Sequence, residues 1–173
     1  MKYIVIIFLT TIFSLSTLAE PIKPFGIELG KPLDANKYPD IKFGFNEINP
    51  PIKNIYFDTY KVNFTPITKT VVTVFAYRDW RLPCEELFQS LALTIIRKYN
   101  LEIEKSDFEK GFWTVLKKND LKVEVYCKPE TFSANITYSL LSEELLNQNH
   151  LELLEYNKNY EDKHFVELDV SGL

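Results

Sequence analysis

Two consecutive runs near the end of the chain constrain its fold most. In residues 122–127, Val123, Val125 and Cys127 share one face while Lys122, Glu124 and, just beyond, Lys128 take the other; in residues 132–140, Phe132, Ala134, Ile136 and Tyr138 alternate with Ser133, Asn135 and Thr137. A period of two is the signature of a strand with one dry and one wet face, and a helix cannot present such a pattern. A third strand is predicted over 112–117, joined to the second through Lys118-Asn119-Asp120, where Asn and Asp tolerate tight-turn geometry. Upstream, Tyr60, Val62 and Phe64 alternate with Thr59, Lys61 and Asn63, and Val71 to Tyr77 is apolar on both faces, as a central strand would be. Thr65-Pro66-Ile67-Thr68-Lys69 reads as the turn of a hairpin between them.

Helices are predicted on either side of the three-stranded meander. Pro83 suits a first helical position, Glu85 and Glu86 the positive end and Arg97 and Lys98 the negative end, with Leu87, Leu91, Ile95 and Tyr99 recurring every four residues. Phe88 and Ala92 widen that stripe, and the helix is expected over 83–99. Ser142 is a plausible N-cap for a second helix to about Asn157, the polar stretch from Glu155 to His164 being expected to fray. Together these elements specify an α+β domain: a mostly antiparallel sheet of about five strands with two helices packed against one face.

The chain opens with Met1-Lys2, an apolar run from Tyr3 to Leu15, and Ser16-Thr17-Leu18-Ala19 before Glu20. One positive charge, a short hydrophobic stretch and a small residue make residues 1–19 a secretory signal peptide cut after Ala19. The run is too short for a membrane span, so no stable membrane insertion is expected after the signal is removed. Residues 20–53 hold six of the nine prolines and three of the five glycines and read as a mostly irregular segment. Residues 54–160 form the α+β domain and 161–173 a tail. Losing Lys2 with the signal moves the net charge from −4 to −5, and the basic residues are scattered among acidic ones, which excludes a phosphate-tracking nucleic-acid surface.

Cys84 and Cys127 are the only cysteines. In an oxidising compartment such a pair closes, and a loop of this length stabilises a fold by about 4 kcal/mol on the chain-entropy model. The alternative makes Cys84 a nucleophile activated at a helix start, but only His150 and His164 are there to serve as base, both far along the chain.

Other chemistry is absent. The glycines at 26, 30, 44, 111 and 172 form no phosphate loop or dinucleotide fingerprint, the two histidines make no metal site, and no Gly-x-Ser-x-Gly or Ser-x-x-Lys occurs. Glu85-Glu86 and Glu143-Glu144 are read as dipole partners at helix starts rather than as an acid–base pair. No catalytic residue, metal or cofactor is assigned. One cluster invites an interface: Arg78, Trp80 and Arg81 at the exit of the central strand combine cation-π and hydrogen-bonding capacity. Its structural alternative is an ion pair closing the strand while Trp80 caps the core. Trp113, inside a predicted strand, reads as core. Aromatic residues make up 14 % of the chain, which suits a large-residue core with half-buried sheet faces, or else a carbohydrate or peptide platform of exposed rings.

The stretch Pro24-Phe25-Gly26-Ile27-Glu28-Leu29-Gly30-Lys31-Pro32-Leu33 resembles the opening of small exported proteins of Gram-negative bacteria that begin with Phe-Gly-x-x-Leu-Gly. Tyr60 to Pro66, Val74-Phe75-Ala76 and the helix end Arg97-Lys98-Tyr99 are similar to the same uncharacterised group, in the same order. Thr68-Lys69-Thr70 departs from it, since other members often carry Gly-Leu-Cys there. The resemblance implies a periplasmic or secreted location and transfers no catalytic residue. The expected function is a non-enzymatic binding module for an envelope protein or a small envelope ligand. Narrower alternatives are an inhibitor or immunity protein against a periplasmic hydrolase or toxin, with an acidic face meeting a basic enzyme, and a small periplasmic hydrolase or thiol enzyme.

Overall fold

A computed structural model describes residues 21–79, 84–107, 111–128 and 133–164, with side chains up to residue 160. Its strands are β1 (Asn46–Glu47), β2 (Thr59–Phe64), β3 (Val71–Asp79), β4 (Glu102–Asp107), β5 (Phe112–Lys118), β6 (Leu121–Lys128) and β7 (Ser133–Leu140); its helices are α1 (Glu85–Tyr99) and α2 (Glu143–His164). The strands form one open sheet in the order β1-β2-β3-β7-β6-β5-β4, with every neighbouring pair antiparallel. The α+β class is therefore as the patterns require, but the sheet has seven strands rather than five. The two extra strands are its edges. β1 is two residues long, and all six side chains of β4 are exposed, so neither carries a dry face to announce it. The charges of Glu102, Glu104, Lys105 and Asp107 along β4 discourage another chain from pairing there.

Burial alternates strictly along β6, with Val123, Val125 and Cys127 inward, and Asn119 turns the β5–β6 hairpin at φ 49°. The inner face of the sheet is covered by α1 and by the proline-rich N-terminal segment, whose Ile27, Leu29, Leu33 and Ile48 belong to the same core as Val74, Phe88 and Val125. On α1 the fully buried side chains are Phe88, Ala92 and Ile95, while Leu87 and Leu91 pack at the margin. The stripe centre thus lies one residue from that of the four-residue repeat. Asn100 ends α1 in the left-handed conformation at φ 53° and bonds back to the Ile96 carbonyl.

The Phe-Gly of the N-terminal segment has a local cause. A 3-10 turn at Pro24–Gly26 puts Phe25 at φ 54°, a costly conformation for a bulky side chain, and its ring sits edge-on to Phe57, Tyr60 and Tyr138 at centroid distances of 6.0, 5.0 and 6.0 Å. Burial of the ring among three others offsets the backbone strain. Gly26 follows at φ 80°, where an added Cβ would lie 2.9 Å from the Pro51 Cβ. Beyond it, the Gly30 N–H donates to the Val71 carbonyl at 2.8 Å and the Val71 N–H to the Lys31 carbonyl at 2.9 Å, which fastens the segment to the start of β3.

Cys84, just before α1, and Cys127 on β6 form a disulfide with Cα atoms 6.1 Å apart, pinning helix to sheet. At the other end of the molecule α2 runs unbroken to His164 instead of fraying after Asn157. No Gly or Pro interrupts it, and the Tyr156 ring meets Phe43 at 5.4 Å, holding the stretch expected to fray. Nor does α2 pack on the core as α1 does. It crosses the strand ends, from the close of β7 past the β2–β3 turn toward Phe43. Among the described residues no helix is long and apolar enough to cross a membrane.

Candidate functional site

The residues flagged by sequence do not converge. Arg78 is engaged by the loop before β2: its Nη1 donates to the Ile55 carbonyl at 3.1 Å and its Nε lies 3.4 Å from an Asp58 carboxylate oxygen. Trp80 and Arg81 lie outside the described residues. Glu85, Glu86, Glu143 and Glu144 are exposed at the starts of their helices, His150 is exposed on α2, and His164 has no described side chain. Both cysteines are consumed by the disulfide, which removes the thiol that a Cys84 nucleophile would need.

What the strands do bring together is the outer face of the sheet. Trp113 belongs to it, not to the core: Phe112 and Thr114 point inward and are buried, so the residue between them points outward and stays half-exposed. The register sets Tyr77 of β3 against Asn135 of β7, Asn135 against Tyr126 of β6, and Tyr126 against Trp113 of β5. This cross-strand row extends to Thr59 on one side and Asp107 on the other. Six adjacent strands at the usual spacing give it a length of roughly 24 Å. The next row runs Lys61, Phe75, Thr137, Glu124, Val115 and Lys105. Phe75 and Tyr77 lie 5.7 Å apart between centroids, and the Lys61 ammonium stands 5.5 Å above the Tyr77 ring. A third row carries Asn63, Thr73, Ser139, Lys122 and Lys117.

With α1 on the inner face and α2 at the strand ends, no helix among the described residues lies over these rows. Their side chains are aromatic rings, hydroxyls, amides and charges. The aliphatic Val115 in their midst is only 2 % exposed, while the exposed leucines and isoleucines sit on loops, helices and the inner side of β4. Among the described residues Lys61, Lys105, Lys117, Lys122 and Lys128 stand beside Glu47, Asp79, Glu102, Glu104, Asp107 and Glu124, Glu104 lying 3.9 Å from the Lys117 ammonium, so the signs are mixed and nearly balanced. At the β4–β5–β6 end the aromatic row opens into a cleft of about 370 Å³ lined by Asp107, Gly111, Phe112, Trp113, Tyr126 and Lys128. That volume lies within the range of small-ligand sites.

The margin of the face is fixed by α2 through one carboxylate. Glu152, 8 % exposed, accepts the N–H groups of Ile67 and Thr68 at 2.8 and 2.9 Å, the Thr68 hydroxyl at 2.7 Å and the Gln148 amide at 2.8 Å. Burial alone would raise its pKa; the hydrogen bonds from Thr68, Gln148 and Ile67 outweigh that and bring it down to about 2 from 4.5. This is a structural clasp, since every acceptor position of the carboxylate is directed at the turn or at its own helix.

Comparison with protein-family models, with curated proteins and with solved structures finds no match for the chain. The sequence signalled only part of the outer face: Tyr126 lies in the polar phase of its strand with Lys122 and Glu124, whereas Tyr77 sits in a run apolar on both faces and Trp113, expected in the core, lies instead on the outer face. What sequence could not supply was the strand order that sets Tyr77 and Trp113 in one row.

Proposed function

We propose that this chain is an exported, non-enzymatic binding module that holds an envelope partner on the outer face of its sheet. The observation that carries this reading is the half-exposed row Tyr77, Asn135, Tyr126 and Trp113, over which no helix among the described residues lies and which ends in a cleft. Amphipathic rings of this kind combine large contact area with few lost rotamers and are enriched where surfaces bind. The closed Cys84–Cys127 bond supports the exported location, because such bonds persist in oxidising compartments. The same location follows from the signal-like residues 1–19 and from the resemblance to the periplasmic Phe-Gly-x-x-Leu-Gly proteins.

The test is affinity capture of tagged protein from lightly crosslinked native envelopes, run in parallel with a Trp113→Ala, Tyr126→Ala variant. A component held stoichiometrically by the wild type and lost from the folded variant supports the reading. Equal recovery by both would move binding to another surface and refute it.

A further inference from the structure

Resting on the binding role just proposed for the outer face, we infer that its ligand is an uncharged oligosaccharide or polysaccharide laid along the Tyr77–Trp113 row. Three properties of the face favour a glycan over a protein. The first is charge: among the described residues five lysines are interspersed with six carboxylates, a mixed and nearly balanced pattern with no block of one sign to steer a charged partner. The second is composition. Protein interfaces bury aliphatic as well as aromatic anchors, yet the aliphatic Val115 is already buried here and, among the described residues, the exposed leucines and isoleucines lie elsewhere.

The third is the pairing of rings with short polar groups. A pyranose presents an apolar face of C–H bonds, which lies against an aromatic ring, and a rim of hydroxyls, which needs both donors and acceptors. Asn135 stands between Tyr77 and Tyr126 in the row, with Thr137 two residues along the same strand, so amide and hydroxyl partners sit at the sides of the rings. From Tyr77 to Trp113 the row crosses four strands, roughly 14 Å, the length of about three sugar units. Its terminal cleft, walled by Trp113 and Tyr126 with Asp107 and Lys128 at its edge, accepts the end or a branch of the chain. No reaction is implied: nothing in the row is a nucleophile or a matched acid–base pair.

The experiment is calorimetric titration of the purified, disulfide-bonded protein with chitohexaose and with maltohexaose, alongside the envelope capture described above. Saturable binding of either sugar is expected, weakened about tenfold or more by Trp113→Ala. Trp113→Leu, which keeps an apolar side chain but no ring, should weaken binding similarly with an unchanged melting temperature. Because the ligand is neutral, raising the salt from about 50 to about 500 mM should leave the affinity within about twofold. Binding unaffected by Trp113→Leu in a folded protein would place the sugar elsewhere and overturn the inference. Absence of binding to both sugars, while a protein is captured in a Trp113-dependent way, would overturn the glycan and leave the binding face standing. Absence of binding together with Trp113-independent capture would overturn both.

Discussion

Removing the Glu152 carboxylate should release the C-terminal helix without unfolding the sheet. A carboxyl held at about 2 against 4.5 stabilises the folded state by roughly 3 kcal/mol at neutral pH. Part of this is recovered when the freed N–H groups of Ile67 and Thr68 meet water, so Glu152→Ala should cost the clasp about 2–3 kcal/mol. The loss falls on α2, which is also held by the buried Leu145, the Gln148 amide and the Tyr156–Phe43 contact. Hydrogen exchange followed by mass spectrometry should therefore show amides of α2 and of the β2–β3 turn exchanging about 30- to 150-fold faster, while β6 and β7 are unchanged. The pH dependence has a definite sign. Because the folded pKa lies below the unfolded one, the contribution is present in full above pH 4.5 and disappears as pH falls through about 2, so acid should loosen α2 in the wild type. Glu152→Gln should be looser at neutral pH and lack that acid response. Exchange in Glu152→Ala within about twofold of wild type, or an undiminished acid response in Glu152→Gln, would refute the reasoning.

Other substitutions probe the remaining supports. Cys84→Ser with Cys127→Ser should lower stability by about 4 kcal/mol in urea denaturation while leaving partner capture intact; a variant as stable as wild type yet inactive would contradict a structural disulfide. Gly111→Ala places a Cβ 2.5 Å from the Cys127 carbonyl oxygen on a backbone at φ 122°, and should cost about 1–3 kcal/mol by thermal melting; a neutral result would show that the strand end beside the cleft yields freely. Arg78→Ala removes both the exposed ion pair with Asp58 and the hydrogen bond to the Ile55 carbonyl and should cost about 1–2 kcal/mol by thermal melting; a loss near zero would mean that neither contact holds the loop before β2.

Sequence patterns located the strands that bury side chains and missed the two edge strands, which bury none. β6 and β7 were legible because every second residue is inward. β4 was not, because an edge strand with six exposed side chains has no inward set and reads as a charged loop. α1 was placed to within two residues at its described start, although Leu87 and Leu91 drew the stripe away from its centre at Phe88 and Ala92. For the site the difficulty lay in composition. A tryptophan amid strand residues suggests core by size alone, and only its phase against Phe112 and Thr114 reveals that Trp113 faces outward. The Glu152 clasp could not be read locally, since its partners in the β2–β3 turn, Ile67 and Thr68, lie more than eighty residues away.

The pairing of β3 with β7 also dictates an order of assembly. β1, β2 and β3 form one antiparallel meander and β4 to β7 another, and the ladder from Thr73–Ser139 to Asp79–Ser133 is what unites them. Closing it requires a long loop to be ordered, an entropic cost that local hairpins do not bear and that slows folding. Until β7 arrives, the inner edge of the most apolar strand in the sheet, Val71 to Ala76, has no partner and offers a template for intermolecular pairing. A chain synthesised or translocated from its N-terminus thus remains incomplete until residue 140 is free. Chains truncated before Ser133 should accumulate as aggregates rather than as a smaller folded domain.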